Sequence, residues 1–370
     1  MFGEEIGFLS NSFLTCLCFG VFMIPLSLEV QQLVEKEKRT FYAILKKALK
    51  IKKEQVLIIS DYGNADRSIA PMVGYGYYYA AMQKKLKVSL LYQQPKKGFM
   101  VADDHILTAV EHLPRGSVII IAVSNKLGRF GEGKSFRSFC RERGHRFISA
   151  TGLGDLQRTR FELFLDCMNV NYKAMKKKGL AIKKLWDKAK EIRVKTEEGT
   201  DVLFNVEGME AVANIGEYHL QGEGGNMPAG EVYIPPFGVE GVEGKVVLNG
   251  SVKTEQGAFL LDEPLTLFIE KGKLVRMEGK HAELLEKTFE KFAERSKHPE
   301  RIRFVSELGI GINPAAILVG STLIDEKVLG TAHIALGSNS WFGGEIKSIF
   351  HGDFVFKNPV FYVDGKRMEL

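Results

Sequence analysis

The residues best suited to chemistry lie in the C-terminal half of the chain. His333 sits in GTAHIALGSNS, and His351 opens the triplet His351-Gly352-Asp353. On a strand, residues i and i+2 face the same side, so His351 and Asp353 can reach one ion. Glu307 lies in SELGIGINP, which reads as a strand running into a turn. Glu231 lies in NMPAGEVYIPP, framed by Gly230 and prolines. Two imidazoles and three carboxylates suit two closely spaced divalent ions of the zinc, cobalt or manganese type. Such ions, about 3.5–4 Å apart, bridge one water, lower its pKa and polarise a carbonyl oxygen. The bland alternative stays open here. An HxD on a strand, and a glutamate beside glycine and proline, are common without any ion.

Other candidates read as structure. GRFGEGKS (128–135) satisfies GxxxxGK[ST] literally through Gly128, Gly133, Lys134 and Ser135. Yet three residues separate it from the apolar run SVIIIAVS, and Glu132 would set a carboxylate beside the phosphates. It reads as a Gly-rich surface loop. The Lys-rich stretch 169–195 reads as a solvated helix face with Leu180, Leu185 and Trp186 packed inward. Asp187 and Glu191 interrupt its charge and no aromatics interleave for base stacking, so no nucleic-acid partner is expected. Tyr75, Tyr77, Tyr78 and Tyr79 read as helix packing, His219 as an ordinary strand histidine, and Glu345 and Lys347 as solvated loop residues.

These groups need a scaffold. The chain has 370 residues, 45% apolar and 26% charged, with a net charge of +6. That excludes a mainly disordered chain, a collagen and a polytopic membrane protein. Four cysteines without a CxxC pair exclude a disulfide framework and argue against a zinc ribbon. Residues 6–28 carry no charge and read as a membrane anchor, a buried or partner-binding segment, or translation begun too far upstream. Residues 1–33 are therefore set apart as an apolar extension. Across 34–190, apolar runs such as VLIISD (56–61), VSLLYQ (88–93), SVIIIAVS (117–124) and HRFISA (145–150) alternate with helical patterns at 35–51, 70–85, 102–113 and 135–144. This predicts an α/β domain with an open parallel sheet. Across 191–370, short β patterns broken by Gly and Pro surround one helix (281–297). This predicts an α+β, largely antiparallel, metal-binding domain.

The segments NMPAGEVYIPP, SELGIGINPAA, DEKVLGTAHIALGSNS and HGDFVF, in that order, resemble the aminopeptidase T family of metalloaminopeptidases. The resemblance implies a cytoplasmic hydrolase, a metalloaminopeptidase that cleaves N-terminal residues from peptides with a free amino terminus. It implies two metal ions held by Glu231, Glu307, His333, His351 and Asp353, with Glu231 and Glu307 also catalytic, and a homodimer. Membrane association is expected only if residues 6–28 are an anchor. Ser340 stands where the family carries a tyrosine, and the 18-residue step from His333 to His351 is short for it. Some relatives are dihydroxypyridine ring-cleaving dioxygenases. The resemblance to them implies one Fe(II) on His333, His351 and Asp353 alone. The third alternative is a metal-free or inactive binding protein.

Overall fold

The computed structural model describes residues 25–63, 69–98, 100–130 and 135–369. Most of the uncharged run 6–28, and residues 131–134 of the Gly-rich loop, lie outside them. Among the described residues, no helix is long and apolar enough to cross a membrane.

Strands are numbered in chain order. The first four are β1 (Val56–Asp61), β2 (Val88–Gln93), β3 (Val118–Ala122) and β4 (Arg146–Ala150). They are followed by β5 (Glu191–Lys195), β6 (Asp201–Asn205), β7 (Val212–Asn214), β8 (Gly224–Asn226), β9 (Glu231–Ile234) and β10 (Val242–Leu248). Then come β11 (Ser251–Thr254), β12 (Gly257–Leu260), β13 (Leu265–Glu270), β14 (Lys273–Glu278), β15 (Val305–Gly311), β16 (Thr331–Gly337), β17 (His351–Lys357), β18 (Val360–Val363) and β19 (Lys366–Arg367).

The N-terminal half forms the expected parallel sheet, in the order β2-β1-β3-β4-β8. Every residue of β1, β3 and β4 is buried, which is why these strands read as continuous apolar runs. The fifth strand, β8, comes from beyond residue 191, so the second half of the chain completes the first sheet. The helix expected over 35–51 is two helices, Leu28–Lys36 and Lys38–Lys47. The first is capped by Ser27 and buries Val30 and Val34. The folded core thus reaches back into residues set apart as an extension. Helix Ile69–Gln83 lies close against Lys38–Lys47 because residue 76 is glycine. A Cβ there would stand 2.2 Å from the Phe41 ring.

Helix Tyr172–Trp186 carries the Lys-rich stretch. It buries Tyr172, Met175, Gly179, Ile182 and Trp186, a stripe at helical spacing. Leu180 and Leu185, expected inward, are exposed because that stripe leaves them on the solvent side.

The C-terminal half holds two antiparallel sheets, β14-β13-β10-β6-β5-β18-β19 and β12-β11-β17-β16-β15-β9-β7. The fold class read from the sequence, α/β with a parallel sheet followed by α+β with antiparallel sheets, is the one observed. On the second of these sheets, Leu308, Ile310, Ile334, Leu336, Phe354 and Phe356 point into the core. Their alternates face the other way and build the site.

A turn before β16 is held from within. The carboxylate of Asp325 is buried and accepts the backbone N–H groups of Val319 (2.7 Å), Gly320 (2.9 Å) and Ser321 (2.9 Å). Burial outweighs these bonds and pushes its carboxyl up to about 6. Asp325→Ala leaves these donors without their acceptor. It is expected to cost about 3 kcal/mol of stability, read as a lower denaturant midpoint with an unchanged slope.

Candidate metal centre

The four site-bearing strands are neighbours in the order β17-β16-β15-β9. Register decides which side chains meet. His333 pairs with Gly309 and Val355, Ala335 with Glu307 and Asp353, Gly337 with His351, and Gly311 with Glu231. Directly paired residues share a face. One face therefore carries Glu231 and Tyr233 from β9, Glu307 from β15, His333 from β16, and His351 and Asp353 from β17. Between them stand Gly309, Gly311, Ala335 and Gly337, too small to fill the space. A bulge between Val305 and Glu307 sets Glu307 onto this face.

Nitrogen and oxygen atoms converge there. Ligand atoms of Glu307, His333 and Asp353 all lie within 4.8 Å of one another. His333 Nε2 is 3.2 Å from Glu307 Oε1, and its Nδ1 is buried without a hydrogen-bond partner. His351 Nε2 is 3.4 Å from Asp353 Oδ1 and 3.9 Å from Glu307 Oε2. The other nitrogen, His351 Nδ1, donates to the Ser338 carbonyl at 2.8 Å. A carbonyl only accepts, so this bond leaves the Nε2 lone pair aimed at two carboxylates. Acceptors facing acceptors in a buried place require a cation, either protons or a metal ion. Imidazole and carboxylate donors in this number suit a first-row divalent metal. The residues present therefore fit a metal ion.

The electrostatics agree. Burial raises the Glu307 carboxyl, although His333 and His351 pull against it. Burial would raise Asp353 too, but the neighbouring His351 holds it well below the usual carboxylate range. Burial disfavours a charged His351, yet Asp353 and Glu307 outweigh this and push it up to about 9. In metal-free protein, the His351 charge thus stabilises the fold fully below its ordinary pKa of about 6.5. That contribution is lost as pH rises through about 9. A metal needs the neutral ring, so its affinity moves the opposite way. Zinc titrations are expected to show tighter binding and fewer released protons as pH rises towards this value. A flat affinity would contradict the assignment.

Glu231 stands apart from this group. Its Oε1 accepts from Asn214 Nδ2 at 2.9 Å and lies 3.4 Å from Lys327 Nζ. Lys327 is fully buried, and its ammonium also donates to Glu326. The sequence reading missed both Lys327 and Glu326, because DEKVLG looks like a solvated turn. It also missed Tyr233, whose phenol is pushed well above its ordinary range by burial and by the nearby Glu307 and Glu231. Ser340 is exposed. Trp341 beside it sets its ring edge-on to His351 (4.8 Å) and Phe342 (5.3 Å), and Phe342 meets Tyr233 (5.1 Å). His219 lies elsewhere, bonded to the Lys47 carbonyl, and Glu345 and Lys347 are exposed. Gly128 of the Gly-rich loop sits at φ +99, where a Cβ would stand 2.5 Å from the Ala102 nitrogen.

The profile of the family "NicX: 2,5-dihydroxypyridine 5,6-dioxygenase" matches residues 168–369. No curated protein matches the chain. Among solved structures, the 2,5-dihydroxypyridine dioxygenase of Pseudomonas putida KT2440 superposes with a TM-score of 0.70 at 19% identity, covering 91% of this chain and 96% of that one. AmpT from Thermus thermophilus superposes with a TM-score of 0.60 at 16% identity, covering 90% and 97%. The aminopeptidase-like fold implied by the resemblance is therefore present. The hydrolase activity is not upheld: the family match and the dioxygenase structure point to an oxidoreductase, because one scaffold carries both chemistries. Over more than half of its length, the chain belongs to the NicX, 2,5-dihydroxypyridine 5,6-dioxygenase, family.

Proposed function

We propose that the chain is a ring-cleaving dioxygenase that uses one Fe(II) ion and acts on a dihydroxypyridine-type ring. The observation that carries this reading is the grouping of His333, His351 and Asp353 on one face of two adjacent strands, a two-His, one-carboxylate set. Glu307 lies beside the set. When bound, iron would supply coordination of the ring hydroxyl and electron transfer to O2. The remaining work falls to the side chains. The Ser338 carbonyl fixes the His351 tautomer. Glu307, its carboxyl raised by burial, accepts the proton of a substrate hydroxyl. The rings of Tyr233, Phe342 and Trp341 form a wall that suits a flat aromatic substrate.

The test is anaerobic loading with Fe(II), followed by 2,5-dihydroxypyridine and air. Loss of the ring absorbance with one O2 consumed per ring supports the reading. An iron-loaded protein that leaves both ring and O2 untouched overturns it for this substrate. Failure across related dihydroxylated nitrogen heterocycles overturns it altogether.

A further inference from the structure

Four carboxyl groups meet around this centre in two sets, joined where Glu326 hydrogen-bonds Asp353. Glu307 and Asp353 face the two histidines. Glu231 and Glu326 face Lys327. The first set faces imidazoles, which a metal ion would require neutral. The second has a fixed cation, and it is deeply installed. The Lys327 side chain is 0% exposed, whereas lysine is rarely buried unless paired. We propose that Lys327 is a built-in cation standing where a dinuclear centre would hold its second metal ion, and that it restricts this centre to one metal. This rests on reading the histidine-carboxylate group as a metal site.

Three observations support the assignment. First, the five residues aligned along the sheet face and the Lys327 side chain share one buried space, but Glu231 is withdrawn from the others. Its Oε1 is taken by Asn214 Nδ2 at 2.9 Å as well as by the ammonium at 3.4 Å. Asn214 is in turn oriented by the Tyr218 hydroxyl, which donates to its Oδ1. An oxygen engaged in this way is a poor metal ligand. Second, the backbone is shaped to deliver the lysine. Gly311 lets the segment approach β15, because a Cβ there would stand 2.1 Å from the Val328 carbonyl oxygen and 2.6 Å from the Lys327 carbonyl carbon. The preceding turn is pinned by Asp325, which fixes where residues 326 and 327 emerge. Third, the charges fit it. Burial raises the Glu326 carboxyl well above its ordinary range although Lys327 pulls against this, and a charged Glu231 buried without a cation would carry a desolvation penalty of several kcal/mol. A lysine ammonium supplies one positive charge and three donors, but it cannot bind or activate a water as a metal ion does.

The test uses the full chain and zinc, which is redox-silent, so it is independent of ring cleavage. Protein saturated with zinc and desalted is counted by elemental analysis and native mass spectrometry. Wild type is expected to hold one ion per chain. Glu231→Gln is expected to hold one ion too, with affinity changed by less than about threefold, against the 10–100-fold typical of losing even an outer partner of a metal. Lys327→Ala is expected to admit a second ion at high zinc. Two ions in the wild type, or loss of an ion in Glu231→Gln, overturn the proposal while leaving the ring-cleavage assay to judge the enzyme. A folded Lys327→Ala that still takes one ion at saturating zinc also overturns it. No ion in the wild type overturns both this proposal and the metal-site reading beneath it. If Lys327→Ala fails to fold, the Glu231→Gln result decides alone.

Discussion

Asp353→Asn is expected to abolish ring cleavage and to weaken metal retention by at least about 100-fold, with the fold intact. The substitution keeps the shape of the side chain and removes its charge. Asp353 is the group that holds His351 in place across 3.4 Å, and it lies among the converging ligand atoms. An amide is a weak ligand for a divalent ion and does not compensate its charge. Glu307→Gln gives the useful contrast. If Glu307 accepts a proton and the iron is held by His333, His351 and Asp353, the variant keeps one iron and loses turnover. Elemental analysis of both variants, beside O2 uptake, separates the roles. Iron lost equally from both would place Glu307 among the ligands. Iron kept by Asp353→Asn would remove Asp353 from them.

Gly309→Ala is expected to do comparable damage without touching a ligand. A Cβ at residue 309 would stand 2.0 Å from His333 Nε2 and 2.2 Å from its Cε1. Separations under about 3 Å do not occur between such atoms, so the ring must move. It is fully buried and packed between β15 and β17, so no free direction is open to it. A displacement of about 1 Å at a reacting centre costs on the order of 100-fold in rate. The overpacking itself is expected to cost about 1–3 kcal/mol of stability. Measured together, a modest fall in melting temperature with a large fall in iron affinity supports the argument. A Gly309→Ala variant with normal iron content and turnover would show that the ring can yield, and would remove Gly309 from the positioning set.

Much of this architecture is legible in the residues. VLIISD, VSLLYQ, SVIIIAVS and HRFISA announce a parallel sheet because strands covered on both faces need apolar residues throughout. The site strands carry a subtler mark. In the runs ELGIG, TAHIALG and HGDFVF, bulky apolar residues alternate with Glu, Gly, His, Ala and Asp. The HxD spacing is the part of that alternation that speaks plainly, although the same alternation marks Gly309, Gly311 and Gly337 as the floor of the site. Lys327 cannot be found this way. Its burial depends on the register of β9 against β15 and on the Asp325 turn, and no local pattern encodes either. The choice between hydrolase and dioxygenase is equally hidden. Both readings draw on His333, His351 and Asp353, so these residues do not separate them. The overlap of helix Leu28–Lys36 with the apolar extension 1–33 has a simpler reason. Helix Leu28–Lys36 follows an uncharged run directly, so its inward stripe of Val30 and Val34 is hard to separate from what precedes it.

On the proposed reading, the residues that would hold iron lie on two strands, β16 and β17, and they meet only where these strands pair. An 18-residue step separates His333 from His351, so an unfolded or nascent chain would bring the set together only at the entropic cost of closing that loop. Iron would therefore favour the native state. Free iron at about 100 times its dissociation constant would add about 2.7 kcal/mol against unfolding. Scarcity of iron would remove that margin and expose the chain to proteases, so on this reading abundance of the protein would follow supply of the metal.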